Sequence, residues 1–177
     1  MNRVIQTIGA VSVLLLVAAL RPAAQAPTLK SDLLKDWTNM KATMTKIADA
    51  MPEDKFGFKP TPAQRSFGEQ IMHVATANVG LIRTLGSKAE APTINAKATA
   101  KAEILKALAD SYDYGATVIN EQTNESLVES VDARFLGQST RARVIWSAIG
   151  HAWDEYGVIT TYLRLNGVVP PASRSSM

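Results

Sequence analysis

The chain has 177 residues, with 19 Lys and Arg against 16 Asp and Glu, two His and no Cys. Without cysteine there is no disulfide scaffold, lipobox-type lipid anchor, thiolate nucleophile or thiolate metal site. The first 26 residues hold Arg3 and Arg21 and no acid; the rest carries 17 basic residues against 16 acidic ones. That nearly neutral remainder, with no block of like charge, lacks the electrostatic footprint of a nucleic-acid binder.

Met1 to Arg3 forms a short positive start, and Val4 to Leu20 is apolar or small apart from Gln6, Thr7 and Ser12. Arg21-Pro22 ends the run, and Ala24-Gln25-Ala26 offers the small-x-small pattern of a signal-peptidase site. Residues 1–26 are therefore expected to be a signal peptide and 27–177 one exported domain, periplasmic or secreted. Pro27 would follow the cut, which sets against this site a cut slightly earlier or an uncleaved anchor. The apolar run is short for a span, which needs about 20 residues, and if the signal is cleaved no stable membrane insertion is expected.

From Thr28 to Met51, Leu33, Trp37, Met40, Met44, Ile47 and Met51 recur at a 4-3-4-3-4 spacing. This is the seam of a helix packed on others. Pro52 stops it, and Pro52 to Arg65 reads as loop. Ser66 can cap a second helix with Glu69 completing a capping box; that helix runs to about Gly86 with Ile71, Val74, Leu81 and Leu85 inward. Ser87 to Ala98 is a connector. A third helix spans about Ala100 to Asn120, with Gly115 allowing a close helix contact. Glu121 to Gln138 is read as a short helix or a packed loop, with Leu127, Val128, Val131 and Phe135 inward. Ser139 or Thr140 caps a fourth long helix to about Asn166, where Gly167 can supply a left-handed cap before Pro170-Pro171. No strand is predicted. The expected fold is all-α, a four-helix bundle.

Both histidines fall inside predicted helices. His73 shares a face of helix two with Ala77 and Gly80, and His151 in helix four is followed one turn later by Glu155. An i,i+4 pair lies on one helical face, close enough to share a cation. Two imidazoles and a carboxylate suit one divalent metal ion such as Zn, Ni or Fe. The plainer reading stands beside it: a helical His is usually a surface or hydrogen-bonded core residue, and Glu at i+4 is often only solvated. Glu69 is first a capping residue, then a group orienting His73, then a fourth ligand. Asp154 faces solvent or hydrogen-bonds a ligand. If the protein is an enzyme, Glu69 and Asp154 are the candidates for a nearby base. Trp37, Trp146 and Trp153 are expected to pack. Phosphate loops, GxSxG, HExxH and EF-hand patterns are absent.

The segments Ser66-Phe67-Gly68-Glu69-Gln70-Ile71-Met72-His73 and His151-Ala152-Trp153-Asp154-Glu155-Tyr156-Gly157 resemble the DinB-like superfamily of damage-inducible four-helix proteins. The loop Phe56-Gly57-Phe58-Lys59-Pro60-Thr61-Pro62 and the stretch from Tyr162 to Ser173 are similar to its first connector and C-terminal end. The resemblance covers about residues 30–173. It implies a four-helix bundle with a divalent metal in a cleft between helices, often in a homodimer. It also implies thiol-dependent transferase or isomerase activity in some members. The family's usual ligands, one His in helix two and two His spaced by four in helix four, fall on His73, His151 and Glu155. Glu155 thus stands where the family usually has His, and Val158 where it often has Gln. Either the carboxylate substitutes as a ligand, or the site is degenerate and the bundle serves binding or structure. Low-molecular-weight thiols are chiefly cytoplasmic, so for an exported chain metal-assisted hydrolysis is the less constrained expectation.

Overall fold

The computed structural model describes residues 26–174. Ala26 apart, the expected signal segment lies outside the described residues. Helix α1 (Leu29–Asp49) starts at a Thr28–Ser31 capping box, and α2 (Phe67–Ile82) at the Ser66–Glu69 box read from the sequence. α2 tightens into a 3-10 turn over Arg83–Leu85 and ends at Gly86 with φ 69°. Next come α3 (Lys101–Glu121), the one-turn α4 (Asn124–Leu127) and α5 (Arg141–Leu165), which Thr140 caps. Gly167 takes the left-handed conformation expected of it, φ 71°.

The four long helices close a ring: α1 and α2 each pack on both α3 and α5. The five seam residues of α1 and Met51 just beyond its end are buried, as are Ile71, Val74, Leu81 and Leu85 along α2 and the 3-10 turn after it. The described chain is thus mostly helical, with five α-helices. None of the described helices is long and apolar enough to cross a membrane.

Two features depart from the sequence reading. A small antiparallel hairpin, β1 (Ser130–Asp132) and β2 (Gln138–Thr140), occupies the stretch read as helix or loop, with Val131 opposite Ser139. Three-residue strands are too short to carry a period-2 signal. Leu127 is buried, but Val128 and Phe135, expected inward, are exposed. The hairpin is tied to α5 by Arg143, which donates to the Leu136 carbonyl at 3.3 Å and to Ser139 Oγ at 2.6 Å, while Arg141 at the start of α5 donates to the Leu85 carbonyl in the turn after α2. The second departure concerns tryptophan. Trp37 is fully buried, whereas Trp146 and Trp153 on α5 are exposed. The buried face of α5 is built instead by Val144, Ile145, Ala148, Ile149, Ala152 and Ile159.

Helix α3 packs on α1 at Gly115, where the Trp37 indole fills the space a side chain would need. Trp37 Nε1 donates to the Tyr112 carbonyl at 2.8 Å, and the two rings are 5.0 Å apart. The Tyr112 hydroxyl is buried without a hydrogen-bond partner. Burial pushes its phenol well above the ordinary value of 10.0, because the phenolate cannot be solvated there. The folded state therefore keeps a proton that the unfolded chain releases above about pH 10, and stability falls as pH rises past that point. Tyr112→Phe should reduce this alkaline loss, so its urea midpoint should change less than that of the wild type between about pH 9 and pH 11. Tyr114 and Tyr162, also raised by burial, leave a residual slope.

Candidate metal centre

The N-terminus of α2 is fixed from both sides. Ser66 Oγ accepts from the Glu69 amide at 3.2 Å, and Glu69 Oε2 accepts from the Ser66 amide at 2.6 Å. The preceding loop is pinned where Phe67 N donates to the Phe58 carbonyl at 2.9 Å and Gly68 N to the Phe56 carbonyl at 2.8 Å. Two turns along, α2 presents His73 to α5. His151 and Glu155, one turn apart on α5, face back.

The three side chains converge on one point. His73 Nε2 and His151 Nε2 are 3.1 Å apart, and Glu155 Oε1 lies 3.3 Å from the first and 3.4 Å from the second. Bonds of about 2.0–2.2 Å from these donors to one ion, at octahedral or tetrahedral angles, require ligand atoms about 3.0–3.5 Å apart. The triangle fits that requirement without rearrangement. His73, His151 and Glu155 could therefore together hold a metal ion.

The local electrostatics suit ligation. Burial, then the positive field of Arg65 and of His151, holds the His73 imidazolium below its ordinary range against the opposing pull of Glu155. The neutral, lone-pair-bearing imidazole is the form a cation needs. Glu155 is buried, and its Oε2 accepts a hydrogen bond from the buried Gln70 amide, which leaves Oε1 for the cluster. His151 Nδ1 is buried with no hydrogen-bond partner.

Gln70 thus orients a ligand from three residues before His73, a spacing that puts both on one face of α2. The sequence reading passed over it, although that spacing was visible. Removing such a partner of a ligand commonly weakens metal binding 10–100-fold. Gln70→Ala should lower zinc affinity by about that factor, measured by competition with a chromogenic chelator, while far-ultraviolet circular dichroism stays unchanged.

The two candidate bases lie outside the donor triangle. Glu69 is engaged in the cap and in an ion pair with Lys59, Oε2 to Nζ 3.2 Å. The Ser66 amide, and after it Lys59, draw its carboxyl below the usual range, which makes it a weak base. Asp154 is exposed on α5. Neither belongs to the donor cluster.

Three clefts meet at the triad. The first, about 450 Å³, is lined by Ala77, Gly80, Leu81, Arg134 and Phe135 and ends on His73 and His151. The second, about 420 Å³, runs past Lys59, Arg65 and Glu69 to His73. The third, about 540 Å³, reaches Glu155 between Arg65, Val158 and Tyr162. Arg65 and Phe135 belong to loops, where no periodicity marks them as site residues.

Residues 36–159 match the DinB superfamily. Solved structures that share the fold include two DinB-like proteins. A DinB-like protein from Bacillus cereus aligns with a TM-score of 0.70 at 19% identity, over 78% of this chain and 93% of its own. A DinB-like protein from Bacillus subtilis aligns with a TM-score of 0.60 at 15% identity, over 77% of this chain and 92% of its own. No curated protein matches the chain.

Proposed function

The chain belongs to the DinB superfamily, and on that premise we propose that it is an exported divalent-metal protein whose ion is held by His73, His151 and Glu155. The observation that carries the reading is the triangle of donor atoms, 3.1–3.4 Å on its edges. Neutral imidazoles and one carboxylate favour zinc, nickel or ferrous iron over magnesium or calcium, which prefer oxygen. An ion there supplies Lewis acidity, the chemistry of metal-assisted hydrolysis or of group transfer from a thiol.

The protein's own groups set the terms of such a reaction. Gln70 holds Glu155 in place, and Ser66 with Glu69 fixes the start of the helix that carries His73. The clefts admit a small molecule from the apolar side and from the polar side. Glu69 and Asp154 are the carboxylates nearest in sequence to the ligands; Glu69, beside His73 in the polar cleft, is the better placed to orient a substrate. Export rests on the leader-like residues 1–26, and we propose a homodimer on the family's habit.

Elemental mass spectrometry of the full chain, purified without chelator, tests the reading. Near-stoichiometric metal, lost in His73→Ala and in Glu155→Ala, is the expected result. A protein that stays empty after reconstitution with zinc, nickel, manganese and anaerobic ferrous iron would overturn it, leaving a binding or structural module. With metal established, hydrolase and thiol-transferase screens decide between the two chemistries.

A further inference from the structure

The clefts around the triad differ in chemistry, and their difference specifies a ligand. The cleft against His73 and His151 is walled chiefly by Ala77, Gly80, Leu81 and Phe135, with Thr76, Ser147 and Arg134 completing its lining. Phe135 is 80% exposed at the turn of the hairpin, and it lines this cleft. The residue before it, Arg134, has φ 55°, outside the range that a side chain ordinarily accepts. Strain and an exposed aromatic ring thus coincide at the rim of one cleft, the pattern of a turn held for ligand contact.

The other side is cationic. Arg65 borders both polar clefts, and its guanidinium has no carboxylate within 4.0 Å among the described residues. Its backbone is fixed, since the Arg65 carbonyl accepts from Tyr162 Oη at 2.8 Å. Lys59, its neighbour on the cleft wall, is already paired with Glu69. A divalent ion beside the single Glu155 carboxylate would add further positive charge. Arg134, at the hairpin rim of the apolar cleft, likewise has no carboxylate within 4.0 Å among the described residues, but Arg65 is the arginine that borders the clefts reaching both His73 and Glu155. That head-group site and the largely apolar cleft beyond His73 describe one ligand shape.

Building on the metal reading above, we propose that the site takes an apolar acid: a hydrocarbon or aryl body in the Leu81–Phe135 cleft and an anionic head group, carboxylate or phosphate, on Arg65. Phe135 and Arg65 are the specificity-determining residues. Both side chains are exposed, so their replacement leaves the core untouched.

Isothermal titration of the full chain, zinc-loaded and metal-free, with 4-phenylbutyrate, 4-phenylbutyl phosphate and the uncharged 4-phenylbutanol reads the proposal directly. The two acids should bind at least about tenfold more tightly than the alcohol, as a charge-assisted hydrogen bond implies. Arg65→Gln should abolish that preference and leave alcohol binding unchanged. Phe135→Ser should weaken all three ligands alike, by about fivefold. The tighter acid identifies the head group as carboxylate or phosphate. Equal binding of acid and alcohol, an acid preference that survives Arg65→Gln, binding indifferent to Phe135→Ser, or no binding to either form overturns the proposal. Zinc content, measured on the same samples, keeps the two readings apart: a zinc-loaded protein that fails these titrations refutes the apolar acid only. A protein that binds the acids through Arg65 but takes up no metal refutes the metal reading and upholds this one.

Discussion

His151→Ala should abolish metal loading while the fold stays intact, with affinity falling by more than about a hundredfold, beyond the cost of losing an orienting partner. His151 Nε2 is 3.1 Å from His73 Nε2 and 3.4 Å from Glu155 Oε1, so its loss leaves two donors from two different helices. Two donors do not fix an ion against water. The imidazole is half-buried and its Nδ1 makes no hydrogen bond, so the substitution breaks no structural polar contact outside the cluster. Metal content and the thermal midpoint, measured together on the chelator-stripped and zinc-loaded forms, separate the effects. The stripped midpoints should be similar, and only the wild type should gain stability from zinc. Glu155→Ala is the less clean variant, because it leaves the buried Gln70 amide without its acceptor.

A second large effect concerns the core. A Cβ at position 115 would lie 2.1 Å from Trp37 Cζ2 and 2.5 Å from Cε2. The indole cannot retreat, because Nε1 is bonded to the Tyr112 carbonyl and the ring is fully buried. Gly115→Ala should therefore cost about 3 kcal/mol through overpacking, although alanine is the better helix former. For a domain of this size that is a fall of roughly 6–12 °C in melting temperature. Gly157→Ala is the control. Nothing lies within 4 Å of its Cβ position on α5, so the same substitution should raise stability by up to about 1 kcal/mol. Calorimetry on both variants measures the contrast.

The long helices were legible because each carries a repeated seam and a chemical start or stop. Leu33 to Met51 has the spacing, Ser66 and Glu69 have the box, and Gly167 has the left-handed end. The Trp37 contact was foreshadowed by Gly115 alone, as a glycine on an apolar face. What the sequence did not reveal depends on tertiary placement. Trp146 and Trp153 read as packing residues, yet the face of α5 that meets the bundle is made of smaller aliphatic side chains. The hairpin is held by Arg143 reaching to the Leu136 carbonyl and the Ser139 hydroxyl, bonds that leave no periodic trace. At the metal centre, the pairing of His151 with Glu155 follows from spacing within one helix. That His73 meets them follows from no local rule, since it lies on a separate helix; the expected bundle made the meeting possible, and the family resemblance singled it out. Arg65 and Phe135 stand in loops and became visible only where the clefts meet.

One donor of the triad comes from α2 and two from α5, and 78 residues of chain separate the two imidazoles. An ion at this point is a removable cross-link between distant segments, so its influence extends to how the bundle breathes. Amide protons whose exchange requires α2 to part from α5 would exchange about a hundredfold more slowly at free metal a hundred times its dissociation constant. Amides released by local fraying of the hairpin would keep their rates. Occupancy at two histidines and a glutamate would thus appear as a boundary, drawn along the α2–α5 seam, between the protons that wait for the ion to leave and those that do not.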